Sequence, residues 1–151
     1  MLTQPCLPGT VCNGIRRRSL MGLFPDRDND PCPAGKYCPL GSLNPIDCPA
    51  GTYSEHPGRG FHYDCTGTPA GYWTSSGATS YSANTCSPGY YCLANSTSST
   101  SFKCPKGTFR TLNRGEKPED CAICPAGYYC DEEALVIPKD CPVGRYCPQA
   151  T

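Results

Sequence analysis

Cysteine is the residue type with the most chemistry to offer in this chain, because fourteen of its 151 residues are cysteines. Thiols can form disulfides, bind zinc or carry out redox exchange. They fall into a seven-residue phrase, Cys-Pro-Ala-Gly-x-Tyr-Cys, whose complete or altered copies recur eight times. The copies begin at Cys6, Cys32, Cys48, Thr68, Cys86, Cys104, Cys124 and Cys141. This recurrence predicts an array of small cross-linked units and not one globular domain.

The pairing of the cysteines follows from a comparison of the copies. The copy that begins at Thr68 has threonine at both cysteine positions, the second being Thr74, and two cysteines lost together are expected to be partners. The first and last cysteines of a complete phrase should therefore be bonded. The copies at Cys48 and Cys104 have no closing cysteine, which leaves Cys65 and Cys121 to pair with them. We predict short rings Cys6–Cys12, Cys32–Cys38, Cys86–Cys92, Cys124–Cys130 and Cys141–Cys147, and long rings Cys48–Cys65 and Cys104–Cys121.

A longer period is also visible in the spacing of the cysteines. Two sets of four cysteines follow one another at an offset of 54 to 56 residues, beginning at Cys32 and Cys86. The predicted organisation is residues 1–12 as the tail of a preceding repeat, 13–31 as a unique insert, 32–85 and 86–140 as two repeat units, and 141–151 as the start of a truncated third. We expect the chain to be a piece of a longer protein whose targeting signals lie outside it.

The composition explains the need for cross-links. Leu, Ile, Val and Phe together make up only 20 of the 151 residues, while there are 17 Pro and 16 Gly, so neither a sizeable core nor long helices are expected. The predicted fold is a small disulfide-rich repeat array with little regular secondary structure, short β-hairpins and an elongated, rod-like shape. The recurrent glycine should adopt positive φ or allow close approach of another segment, and the aromatic residue should pack over the neighbouring disulfide.

Other candidate chemistry in the sequence is weak. Cys121 and Cys124 have the C-x2-C spacing of redox and zinc sites, but each already has a place in the repeat. Asp26, Asp28 and Asp30 alternate like the ligands of a calcium loop, yet proline and tyrosine occupy positions where that loop needs glycine and glutamate. His56 and His62 have no neighbouring nucleophile. We therefore expect no catalytic residues, no metal site and no cofactor, and the formal net charge of zero argues against a nucleic-acid partner.

Contacts with partners are expected at apolar side chains that have little core to enter. Phe24 in the insert and Leu135 near the third unit are two such residues. Tyr72, Tyr90 and Tyr128 each precede the aromatic of their phrase, so in an extended backbone they should face outward as a row suited to sugar or to another subunit. The alternative is that these tyrosines lie over the next unit.

A glycosylation signal is also present. Asn95-Ser96-Thr97 is an acceptor sequon, which predicts N-linked sugar on a surface loop. The alternative is an unmodified polar connector.

The phrases CPAGKYC, CPAGTYS, CSPGYYC, CPKGTFR, CPAGYYC and CPVGRYC resemble the ephrin-receptor-like cysteine-rich repeat, a relative of tumour-necrosis-factor-receptor and EGF-like modules. The repeats also resemble those of flagellar-hair (mastigoneme) proteins. The resemblance implies an extracellular, non-enzymatic structural segment of a large glycoprotein that stacks as a stiff rod and assembles laterally. We expect other copies or modules of the same assembly and glycans as partners, and no membrane insertion in this segment. A ligand-binding, receptor-type ectodomain is the alternative.

Overall fold

The structure, a computed structural model, describes residues 6–12 and 30–151. Phe24, Asp26 and Asp28 lie outside the described residues. All fourteen cysteines are engaged in seven disulfides and none is free. The pairs are the five short and two long rings that the copies predict. The Cα atoms of each pair lie 5.6–6.0 Å apart, which is within the ordinary range for a disulfide.

The chain forms two compact units. The first contains the described residues up to Gly67 together with Ser75–Ser80, and the second contains Thr68–Thr74 together with Tyr81–Thr151. The copy that begins at Thr68 thus lies in the second compact unit, whereas the sequence period places it in the first repeat unit.

Short antiparallel hairpins are the main regular structure, as the sequence predicts. Within the described residues the strands are β1 (Thr10–Val11), β2 (Asp30–Pro31), β3 (Lys36–Tyr37), β4 (Ile46–Asp47), β5 (Thr52–Tyr53), β6 (Thr66–Gly67), β7 (Tyr90–Tyr91), β8 (Phe102–Lys103), β9 (Thr108–Phe109), β10 (Ala122–Ile123), β11 (Tyr128–Tyr129) and β12 (Lys139–Asp140). Two 3-10 turns, His62–Asp64 and Pro118–Asp120, complete the elements.

Every hairpin has the same register. The fifth and sixth residues of one copy pair with the two residues that precede the next copy, as in Lys36 with Asp47 and Tyr37 with Ile46. The same pairing joins the other five hairpins. In the copy that begins at Thr68 the pairing is reduced to an isolated bridge between Tyr72 and Thr85.

Within each unit, successive copies are joined by a repeated set of backbone hydrogen bonds. The glycine amide of one copy donates to the carbonyl of the closing residue of the next, as from Gly89 to Arg110 at 2.9 Å. The first amide of the next copy donates back to that glycine, as from Cys104 to Gly89 at 2.9 Å. The same two bonds recur at Gly9, Gly35, Gly71, Gly107 and Gly127. Because glycine supplies both groups, the stacking of copies depends on the backbone more than on side chains.

A residue in the left-handed conformation completes the set. From the second copy onward it follows the closing residue by three or four positions, and its amide donates to the carbonyl of the first residue of the preceding copy, as from Ala134 to Cys104 at 2.9 Å. The residues in this role are Gly41, Gly58, Gly77, Asn95, Arg114, Ala134 and Ala150, with φ between 58° and 84°. Their turn explains why glycine or asparagine occupies several of these positions.

The phrase glycines have the positive φ that the sequence predicts, and several of them are also approached closely by another segment. All eight have φ between 78° and 88°. A Cβ atom added to Gly89 would lie 2.3 Å from the carbonyl oxygen of Ala134, and one added to Gly9 would lie 2.4 Å from that of Gly58. At these two glycines the backbone of a later segment occupies the place of a side chain, whereas a Cβ atom at Gly127 or Gly144 would meet nothing within 4 Å.

Cystine replaces the apolar core. Every buried hydrophobic residue in the described part of the chain is a cysteine, and eleven of the fourteen are 8% exposed or less. Large apolar side chains are left at the surface instead, among them Leu43, Leu112 and Ile137, which are 68–70% exposed. No helix among the described residues has the length and apolar character needed to cross a membrane.

Candidate interaction surfaces

The aromatic residue at the sixth position of the phrase packs across its hairpin. Tyr91 stacks on Phe102, its partner in register, with ring centroids 5.3 Å apart and planes 15° from parallel. The Lys139 ammonium lies 5.6 Å from the centre of the Tyr129 ring, again on the paired strand. Tyr146, in the last copy, is 88% exposed and belongs to none of the described hairpins. Side chains of the paired strand therefore half-bury the aromatic residue at the sixth position of the phrase.

The three tyrosines of the predicted outward row differ in their surroundings. Tyr72 is half-buried, with its ring 4.9 Å from that of Tyr81 in an edge-to-face contact and 4.9 Å from the Arg114 guanidinium. Tyr90 is also half-buried. Tyr128 is 39% exposed. Tyr72 therefore makes contacts inside the second unit, and Tyr128 offers the most open surface of the three.

Leu135 is placed by its backbone. Its carbonyl accepts a hydrogen bond of 2.9 Å from the amide of Arg110, and its side chain is half-buried. The neighbouring Val136 and Ile137 are 37% and 68% exposed. In this segment, Ile137 has the larger apolar surface available for a partner, and the sequence did not distinguish it from Leu135.

Asn95 is exposed and has a backbone role as well as a sequon. Its φ is 64° and its amide donates to the Thr68 carbonyl at 2.8 Å. The Ser96 hydroxyl turns inward and donates to the carbonyl of Leu93, whereas Thr97, the hydroxyl residue of the sequon, is exposed. Asparagine tolerates the left-handed conformation, so the turn alone explains its presence, while its exposure leaves the amide side chain accessible.

The copy without cysteines keeps a link between the same two positions. Thr68 and Thr74 are 1% and 0% exposed, and their hydroxyl oxygens are 2.6 Å apart, joined by a hydrogen bond. A buried hydroxyl pair thus stands where the other short rings have a disulfide.

In each long ring, the aspartate just before the closing cysteine accepts hydrogen bonds from two backbone amides of the ring. The Asp64 carboxylate accepts hydrogen bonds from the amides of Gly60 and Phe61, at 3.2 and 3.0 Å. Asp120 accepts from Glu116 and Lys117, at 2.8 and 3.2 Å. The hydrogen bond from the Glu116 amide is the main reason why the pKa of Asp120 lies below its usual value. Both residues stand directly before a cysteine in the sequence, a signal that sequence reasoning missed.

The two long rings differ in the side chains that they present on this shared backbone. The first has Phe61, His62 and Tyr63 before its aspartate, whereas the second has Lys117, Pro118 and Glu119. Phe61 and Tyr63 stack with centroids 5.0 Å apart and planes 5° from parallel, although they are 42% and 68% exposed.

His62 joins this group. Its imidazole lies edge-to-face against Tyr63 at 5.4 Å and against Tyr37 at 6.4 Å. We call Tyr37, Phe61, His62 and Tyr63 the aromatic cluster. Sequence analysis placed His62 in the long ring but did not identify it and the aromatic residues on either side as a cluster.

The last described hairpin contains a cluster of charged side chains. The Lys139 ammonium lies 2.8 Å from the Asp131 carboxylate and 3.0 Å from that of Glu132. The hydrogen bond to Asp131 raises the pKa of Lys139 and lowers that of the aspartate. Because these groups are exposed to water, they contribute little to stability.

The described residues contain no group of three or more side chains that could hold a metal ion. Cys121 is bonded to Cys104 and Cys124 to Cys130, so the C-x2-C pair is neither a redox dithiol nor a zinc ligand pair in this structure. No model of a known protein family matches the chain. A search of curated proteins likewise finds no similar sequence.

Proposed function

We propose that this chain is a non-enzymatic structural segment of a large extracellular or cell-surface glycoprotein, built from ephrin-receptor-like repeats. The observation that carries the proposal is the repeated set of backbone hydrogen bonds between successive disulfide-linked copies. In such a repeat the recurring backbone groups stack one copy on the next, and the loops, which differ between copies, are exposed. Seven disulfides indicate an oxidising compartment, which is where secreted modules of this kind fold.

Lateral assembly with other copies or modules is the second part of the proposal. Apolar side chains on the surface of the second unit support it, since Leu112, Ile123 and Ile137 are 56–70% exposed and Tyr128 lies at the edge of its hairpin. Such lateral assembly suits a filament or a flagellar hair.

Assembly is tested by sedimentation and electron microscopy of the oxidised chain over a range of concentrations. We expect concentration-dependent association into fibres, and we expect Tyr128→Ser with Ile137→Ser to weaken it. Tyr72→Ser is the matched control, because Tyr72 packs on Tyr81 within its own unit. A chain that stays monomeric and binds a soluble protein one-to-one would support a receptor-type ectodomain instead.

N-linked sugar at Asn95 is the third part of the proposal, supported by the exposure of this residue and of Thr97. Protein secreted from a eukaryotic host should lose mass on enzymatic removal of N-glycans. Asn95→Gly removes the sequon while keeping a residue suited to positive φ, so it should abolish that loss of mass and leave folding intact. An unchanged mass in the parent protein would refute glycosylation at this position.

A further inference from the structure

The aromatic cluster is not required by the fold of its ring. Both long rings close over the same number of residues, both contain a three-residue 3-10 turn, and both hold that turn with an aspartate. The second ring does so with Lys117, Pro118 and Glu119 at the positions of Phe61, His62 and Tyr63. Comparison of the two long rings therefore shows that only the first has three neighbouring aromatic side chains at these positions.

The packing of these side chains leaves much of their surface in water. Tyr63 is 68% exposed and Phe61 is 42% exposed, in a chain that has few large apolar residues. The stack between them fixes the orientation of both rings. A pre-oriented aromatic surface loses little conformational entropy when a ligand binds, which is the usual property of an aromatic binding site.

We propose that the aromatic cluster binds a neutral, β-linked hexopyranose oligosaccharide. In such a sugar the hydroxyl groups lie around the rim of the ring, and the axial C–H groups form an apolar face about as wide as an aromatic ring. The partial positive charge on the hydrogens of those C–H groups complements the negative face of the Tyr63 ring. The phenol groups of Tyr37 and Tyr63 and the imidazole of His62 are donors and acceptors for the rim hydroxyls.

The charge of the segment favours a neutral sugar over an anionic one. Residues 61–64 contain no lysine or arginine, Lys36 beside Tyr37 is already paired with the Asp47 carboxylate, and Arg59, earlier in the ring, is half-buried. The one carboxylate among residues 61–64, on Asp64, accepts hydrogen bonds from two backbone amides. A sulfated or phosphorylated ligand would need basic side chains, which this segment does not provide. The proposal concerns a different surface from the assembly surface of the second unit and does not depend on filament formation.

The probes are cellotriose and chitotriose, added to the full oxidised chain, with acyclic mannitol as the control for non-specific contact. Nuclear magnetic resonance should show saturation transfer to the trisaccharides and concentration-dependent shifts in the aromatic signals of Phe61, His62 and Tyr63. Absence of both effects for both trisaccharides at about 10 mM would overturn the proposal, and so would shifts confined to residues outside the cluster.

A pair of exchanges between the rings supplies matched variants. Phe61→Lys with Tyr63→Glu introduces residues that the second ring already accommodates, and should weaken binding at least about tenfold, equivalent to about 1.4 kcal/mol. The reverse exchange, Lys117→Phe with Pro118→His and Glu119→Tyr, should add a second site. Non-reducing peptide mapping must show the Cys48–Cys65 and Cys104–Cys121 bonds in both variants. Unchanged binding by the first variant would place the sugar elsewhere and refute the assignment.

Discussion

Replacing the hydroxyl pair of the fourth copy by cysteines should create an eighth disulfide. Thr68 and Thr74 are buried, and their oxygens are already in contact at 2.6 Å, at the two positions that are bonded in every short ring. The Thr68→Cys/Thr74→Cys variant should therefore close a ring between these positions without movement of the backbone. It should leave the other seven pairs unchanged.

The gain in stability is the difference between a ring closure and a hydrogen bond. Closing a seven-residue ring stabilises the folded chain by about 2.4 kcal/mol in the chain-entropy model. The lost hydroxyl–hydroxyl hydrogen bond contributes about 1 kcal/mol, and the sulfur atoms fill part of the space of the two lost methyl groups. We expect a net gain of about 1 kcal/mol in the free energy of unfolding, which moves a urea midpoint upward by about 0.5 M.

The assay combines non-reducing peptide mapping with thiol titration and urea unfolding at neutral pH. The single variant Thr68→Cys is the control: it leaves one thiol and removes the buried hydroxyl–hydroxyl hydrogen bond, so it should be less stable than the parent chain. The reasoning fails if the double variant retains two free thiols under conditions that oxidise the other cysteines. It also fails if either of the two introduced cysteines pairs with a cysteine of another ring.

Two further predictions concern the backbone contacts. Gly89→Ala should destabilise the second unit by about 2–5 kcal/mol, because overpacking of about 1–3 kcal/mol against the Ala134 carbonyl, 2.3 Å from the added Cβ, is joined by about 1–2 kcal/mol of strain at φ 82°. Gly58→Ala, at φ 84° with nothing within 4 Å, should cost only the strain of about 1–2 kcal/mol, and equal shifts of the urea midpoint would contradict this. The pKa of Asp120 is lowered in the folded state, so its contribution to the free energy of unfolding is present above the unfolded pKa and is lost as pH falls through the lower folded value. Asp120→Asn should therefore flatten the dependence of the urea midpoint on pH below about 4. An unchanged acid dependence would count against the role of the Glu116 amide.

The disulfide pairing and the fold class could be predicted because they depend on residues that recur. The joint replacement of two cysteines by Thr68 and Thr74 revealed which positions are partners, and the recurrent glycine indicated positive φ. The left-handed residues after each copy were harder to recognise, since alanine and arginine stand at Ala134 and Arg114 where Gly58 stands elsewhere. In those places the tertiary hydrogen bond to a preceding copy overrides the local preference against positive φ.

The surface could be predicted less well, for a physical reason. Whether Tyr72 or Tyr128 faces solvent depends on which residue the next segment places beside it, and alternation along a strand does not contain that information. Tyr72 has Tyr81 and Arg114 beside it, whereas Tyr128 is more open. The aromatic cluster was missed for the same reason, because it combines Tyr37 with a segment of the following long ring.

The hairpin loops have the greatest freedom to change in this architecture. The loop between Tyr37 and Ile46 and the longer one between Tyr53 and Thr66 close hairpins of the same register, so the framework accepts loops of different length. The repeated hydrogen bonds between copies join backbone groups, and the core consists of cystine. Substitutions in a loop therefore cost little stability so long as its aspartate cap and its cysteine remain. Surface chemistry that appears in one long ring and not in the other is accordingly the best place in this chain to look for selected binding function.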